Sequence, residues 1–174
     1  ELVDQRRDAP SLPVDPAELQ DLLADLGRSS WRLSLVLVDD DPMTELRERW
    51  YGGDGPTDVL SFSYLETEGP EAPALARGEG RAACDFWLAP TADDEPVTAG
   101  EVVIAPSYVA VRCAAEGWDL AAEWSLLLVH GALHVLGWRH DTPQQSQAMR
   151  AEETAVLAAA GRPHPLGRQA EEDS

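Results

Sequence analysis

Asp119-Leu120-Ala121-Ala122-Glu123-Trp124-Ser125-Leu126-Leu127-Leu128-Val129-His130-Gly131-Ala132-Leu133-His134-Val135-Leu136-Gly137-Trp138-Arg139-His140 is the stretch on which the reading of this chain turns. Asp119 is a favoured N-cap residue, and Gly137 stands where a helix commonly ends in a left-handed residue. Between them the side chains are apolar nearly all round, so the stretch predicts a helix from 119 to about 136 buried at the centre of a domain. Its longest uncharged run, Trp124 to Trp138, is fifteen residues and contains two His. That is short of the roughly 20 apolar residues that span a bilayer.

Working outward, other elements follow from periodicity and punctuation. Asp15-Pro16 caps a helix with Leu19, Leu22, Leu23 and Leu26 on one stripe and Gly27 as its stop. Trp31 to Val38 alternates as a strand, Asp40 to Trp50 reads as a short helix, and Gly52-Gly53-Asp54-Gly55-Pro56 breaks the chain before a strand from Asp58 to Leu65. Glu101 to Ala105 is a short apolar strand, Ser107 to Gly117 is helical, and Thr142-Pro143 opens a last helix to about Ala160. Residues 66–100 hold four Pro, four Gly and eight acids against Arg77 and Arg81, which reads as an acidic loop insertion, with one strand conceivable at 83–88. The expected class is α+β: a small mixed sheet of about four strands packed with helices around the central buried helix. The expected organisation is one domain over 15–160, between a flexible N-terminus (1–14) and a flexible acidic tail (161–174).

Thirty-two acids oppose thirteen bases in 174 residues, a net charge of −19, and all thirteen bases are Arg. The lack of Lys excludes Schiff-base chemistry, a P-loop and a kinase-type ATP site. A surface this acidic does not coat nucleic acid, so work on RNA would need a metal or a local gathering of Arg47, Arg49, Arg112, Arg139 and Arg150. Two cysteines, Cys84 and Cys113, make no disulfide framework, and no basic region leads into an apolar one at the start. The expectation is a cytoplasmic protein without membrane association.

Three of the four His lie within eleven residues: His130, His134 and His140. At i and i+4 the first two project from one helix face, close enough for both imidazoles to reach one ion. The turn after Gly137 brings His140 back as a third ligand. Three protein ligands with an open position is the arrangement of a catalytic metal, whose bound water serves as nucleophile near neutral pH. The bland alternative, packed core histidines, requires a separate partner for each buried ring. Three imidazoles suit zinc, copper, iron or nickel, and availability favours one Zn²⁺ per chain. The spacing matches the H-E-x-x-H-x-x-G-x-x-H pattern of metallopeptidases except that Gly131 replaces the general-base Glu, which disfavours peptide hydrolysis. Glycine inside a helix costs about 1 kcal/mol relative to Ala, so Gly131 suggests a close approach by substrate or by another backbone.

His130-Gly131-Ala132-Leu133-His134-Val135-Leu136-Gly137-Trp138-Arg139-His140 resembles the H-G-x-L-H-L-x-G-[YF]-D-H signature of the YbeY endoribonucleases. Pro56-Thr57-Asp58-Val59-Leu60-Ser61-Phe62 is similar to that family's T-D-V-L-S-F strand, and Gly100-Glu101-Val102-Val103-Ile104 to its G-D-I-x-I strand. The resemblance covers roughly residues 31–158. It implies a zinc-dependent, single-strand-specific endoribonuclease acting in ribosomal RNA maturation and ribosome quality control, with His130, His134 and His140 as metal ligands. Implied partners are ribosomal RNA, the small ribosomal subunit, one of its proteins and an Era-type GTPase. Thr57, Asp58 and Ser61 become candidate cleft residues. Strand alternation places Asp58, Leu60 and Phe62 on one face and Val59 and Ser61 on the other, so only one set faces the site.

Two positions depart from the pattern. Tyr51 stands where the family has an Arg implicated in activity, with Arg49 two residues upstream as a substitute. Arg139 stands where the family has Asp, and beside a ligand it becomes a candidate phosphate clamp, with Asp141 after it able to accept a ligand ring's second N–H. Glu123 lies seven residues, about 10 Å, from His130 and cannot ligate the same ion. Trp138 offers a possible stacking surface for a base, and His164, in the tail, has no assigned role. Two other functions remain open: a metallopeptidase-like hydrolase, and a non-catalytic, metal-stabilised ribosome assembly factor.

Overall fold

Alternating apolar runs build the sheet, and one all-round apolar helix covers it. The computed structural model describes residues 1–7, 11–15, 18, 22, 31–64 and 97–165. In chain order the elements are β1 (Leu2–Asp4), β2 (Trp31–Leu37), α1 (Asp40–Tyr51), β3 (Val59–Ser63), β4 (Val97–Ile104), α2 (Pro106–Glu116), α3 (Leu120–Val135) and α4 (Pro143–Ala159). The strands order β1-β2-β4-β3. β1 with β2 and β2 with β4 are parallel, while β3 pairs antiparallel to β4. The architecture is therefore the expected α+β fold with a mixed four-stranded sheet.

Both faces of the sheet are covered, which is why β4 reads as a continuous apolar run. Leu35, Leu37, Val102 and Ile104 face α3 and join Trp124, Leu128 and Leu133 in the main core. Val36, Val38, Leu60 and Val103 point the other way, onto Met43 of α1. Asp119 caps α3 by accepting the Ala122 N–H at 2.7 Å. Thr142 and Gln145 form a reciprocal capping box on α4, behind Pro143 at its first turn.

Three boundaries differ from the sequence reading. The N-terminal segment taken as flexible contains β1, in register with Leu35–Leu37, and Val14 of the core. Its pairing is with a strand some thirty residues away, which local polarity does not reveal. Second, β4 begins at Val97, four residues earlier than expected; the register shifts between Arg32 and Leu33, opposite Ala99, and this irregularity interrupts the alternation there. Third, residues 161–165 return onto the domain. Arg162 donates to Ser125 at 2.8 Å and to Glu18 at 2.5 Å, and His164 is buried. Of the helix expected over 15–27, only Asp15, Glu18 and Leu22 are described. The bulk of the acidic insertion with Cys84, and residues 166–174, lie outside the described residues.

Candidate metal centre

α3 places His130 and His134 on successive turns, with ring centroids 4.5 Å apart and planes at 85°. The helix ends in a double hydrogen bond, Trp138 N–H to the Leu133 carbonyl at 3.0 Å and Gly137 N–H to the His134 carbonyl at 2.9 Å. Gly137 takes φ of 89°, the left-handed conformation this motif requires. The resulting turn returns the chain so that the His140 ring lies 4.9 Å from that of His134 and 5.6 Å from that of His130. One ligand nitrogen from each of the three lies within 4.8 Å of the others.

The outer nitrogens decide what the inner ones can do. His134 Nδ1 lies 2.9 Å from the Trp138 carbonyl, which only accepts, so Nδ1 carries the proton. His130 Nδ1 lies 2.7 Å from Glu153 Oε1. Burial opposes the charge on Glu153, but hydrogen bonds and charge from His130 and His164 outweigh it and hold its pKa below the usual value. Glu153 is therefore an ionised acceptor, and His130 Nδ1 also carries its proton. The two Nε2 atoms face each other at 3.0 Å, with the His134 lone pair turned toward His130. Burial first and the neighbouring His130 second push the His134 pKa down to about 4, which keeps this ring neutral near pH 7 and its Nε2 available as a donor atom. The all-nitrogen donor set of three converging imidazoles fits a borderline divalent metal ion.

Glu153 is the residue that sequence reasoning missed. Its signal was present: Met149, Glu153, Val156 and Leu157 form the buried stripe of α4, and a carboxylate on such a stripe calls for a partner. His164, given no role from the sequence, is 3.3 Å from the other Glu153 oxygen. Together with the Trp138 carbonyl, Glu153 fills the orienting role considered for Asp141, which is exposed. Trp138 itself is buried in the core, so its indole is no stacking surface.

The other candidates separate. Asp58 lines a cavity of about 580 Å³ together with His130, His140, Arg112 and Arg150. Its carboxylate accepts from the Thr57 hydroxyl at 3.0 Å and pairs with the Arg112 guanidinium. Ser61 faces α3 instead: a Cβ added at Gly131 would meet Val102 Cγ1 at 2.6 Å and Ser61 Oγ at 3.1 Å. Gly131 is therefore required by side chains of the sheet, not by a substrate or a backbone. Arg49 stacks over Trp50 at 5.4 Å, and Arg47 clamps the Asp54 and Pro56 carbonyls at 2.8 and 3.2 Å. Arg139 is exposed and does not line the cavity. Tyr51 donates its hydroxyl to the Ser61 carbonyl at 2.8 Å on the outer side of β3.

The sequence profile described as Endoribonuclease YbeY matches residues 17–161. The chain belongs to the YbeY endoribonuclease family. Endoribonuclease YbeY of Salinispora tropica is 40% identical over 126 residues, 72% of each protein. That of Moorella thermoacetica is 42% identical over 130 residues, 74% of this chain and 72% of the relative. The solution structure of TM1509 from Thermotoga maritima is similar over 91% of each chain, with 17% identity and a TM-score of 0.48. Among the described residues, no helix of this YbeY-family chain is long and apolar enough to cross a membrane.

Proposed function

We propose that this chain is a zinc-dependent, single-strand-specific endoribonuclease of ribosomal RNA maturation and ribosome quality control, working in the cytoplasm. Its partners in this reading are ribosomal RNA, the small ribosomal subunit with one of its proteins, and an Era-type GTPase. The observation that carries the reading is the convergence of three ring nitrogens, those of His130 and His134 at 3.0 Å and that of His140 within 4.8 Å. Membership of the endoribonuclease family supplies the reaction class.

His130, His134 and His140 hold the ion, whose contribution is Lewis acidity at the scissile phosphodiester. Glu153 keeps the His130 ring oriented and more basic, and the Trp138 carbonyl does the same for His134. Arg112, anchored by Asp58, and Arg150 are the guanidinium groups on the cavity wall, placed to bind phosphate oxygens. They take the clamping role the sequence suggested for Arg139 and Arg49. No carboxylate occupies position 131, which disfavours the peptidase alternative.

The test is metal analysis of purified protein beside cleavage of single-stranded ribosomal RNA precursors, with His134→Ala in parallel. Wild type should carry about one zinc per chain and cut; the variant should lose the metal and at least about 100-fold in rate. Cleavage that survives in the variant would assign the activity to a contaminant. Metal-replete wild type that cuts nothing would make the chain an assembly factor.

A further inference from the structure

Two turns before His130, α3 carries a carboxylate that the metal centre does not use. Glu123 is only 7% exposed and lines the same cavity as His130 and Trp118. Its carboxyl makes no hydrogen bond to any described residue, and burial pushes its pKa up. The Arg112 charge acts in the other direction, while the Asp58 carboxylate adds to the rise. An acceptor without a protein donor, facing a cavity, marks a place where a ligand brings N–H groups.

The surrounding wall suits a flat ring. The Arg112 guanidinium lies 4.7 Å from the centre of the Trp118 ring, and Leu126, Leu127 and Met149 supply apolar surface. The cavity, about 580 Å³, is within the range of small-ligand sites. Helix rise puts Glu123 about 10 Å from His130. That is the reach of one nucleotide from its phosphate to the far edge of its base.

We propose that the Glu123 end of the cavity is a nucleobase subsite that selects guanine beside the scissile phosphate, an inference that rests on the endoribonuclease reading above. A carboxylate offers acceptors only, and guanine alone among the four bases presents two adjacent donors, N1–H and the N2 amine, on one edge. Adenine and cytosine set an acceptor beside their amine, where it meets the carboxylate's lone pairs. Uracil has a single N–H between two carbonyls. Trp118, Leu126 and Leu127 provide an apolar wall that tolerates any base, while Glu123 supplies the selection.

Metal-loaded wild type and Glu123→Gln are compared on a mixed-sequence single-stranded RNA, with product ends mapped. The same proteins are titrated calorimetrically with guanosine and adenosine 5′-monophosphate. Wild type should favour guanine at least about ten-fold in both measurements, and the variant should bring that ratio near one. Cleavage without base preference, a preference for another base, or a preference the variant keeps would overturn the subsite. If wild type cuts no RNA, the endoribonuclease reading fails by itself. The mononucleotide titration then decides: guanine selectivity that Glu123→Gln abolishes upholds the subsite, and equal binding overturns it.

Discussion

On one face of the sheet, α3 lays Trp124, Leu128 and Leu133 against Leu35, Leu37, Val102 and Ile104, and from that packing it projects His130 and His134. On the other face, α1 covers Val36, Leu60 and Val103 with Met43 and a half-buried Leu46, while Trp50 and Tyr51 remain 61% and 58% exposed. The contrast shows where a polar site can be held to a fixed geometry. Around α3 every outer ring nitrogen of the helical pair has a rigid partner, because the helix, its end turn and α4 are locked by apolar contact. Around α1 the polar groups work locally: Arg47 closes a loop and the Tyr51 hydroxyl meets one carbonyl. Arg49 and Tyr51 of α1 and the histidines of α3 thus belong to helices on opposite faces of the sheet.

Acid should separate the two faces most strongly. His134 has its folded-state pKa depressed to about 4 from an ordinary 6.5, so the unfolded chain binds the proton more readily between those values. Stability of the metal-stripped protein therefore rises with pH across that window and is lost as pH falls from 6.5 toward 4. The loss reaches at most about 3 kcal/mol from this group. Glu153, whose pKa is also depressed, adds its own loss at lower pH. Urea midpoints of chelator-treated protein at pH 7 and pH 4.5 measure the effect. A His134→Gln variant with the same acid sensitivity would remove the imidazole as its source.

A smaller effect sharpens the comparison within the site face. Glu153→Gln keeps an acceptor for the His130 N–H but loses the charge that strengthens the ring as a ligand. Zinc affinity, measured by chelator competition, should fall on the order of ten-fold, the lower end of what such partners contribute. Unchanged affinity would show that Glu153 only packs. The smallest effect belongs to the outer face. Tyr51→Phe removes one hydrogen bond from a largely exposed ring and should cost roughly 0.5–1.5 kcal/mol in urea unfolding, leaving zinc affinity unchanged. A change in zinc affinity there would couple the faces and break the contrast.

Much of this was legible along the chain because it is local. The i, i+4 spacing of His130 and His134, the left-handed turn at Gly137 and the return of His140 are all set within eleven residues. The same holds for α1 to α4, whose caps and periodicity mark their ends to within a residue or two. β1 was not legible, since a three-residue strand depends on pairing with β2. Strand parity at β3 separated Ser61 from Leu60 and Phe62 without saying which set meets α3; in the fold it is Ser61. It did not exclude Asp58 from the cavity, because Asp58 precedes the strand and reaches in from its end.

The sequence by itself determined the family, the histidine trio and the helix that carries two of the three, because those depend on spacing along one helix and one turn. Only the tertiary structure decided which groups prepare the trio: Glu153 from α4 on His130, the Trp138 carbonyl on His134, and Val102 and Ser61 against the missing side chain of Gly131. It also decided that Arg112 and Arg150, and not Arg49 or Arg139, line the cavity. The physical reason is that a ligand's spacing is a property of its own helix, whereas its proton, its orientation and its neighbours come from elements that meet it only when the core closes.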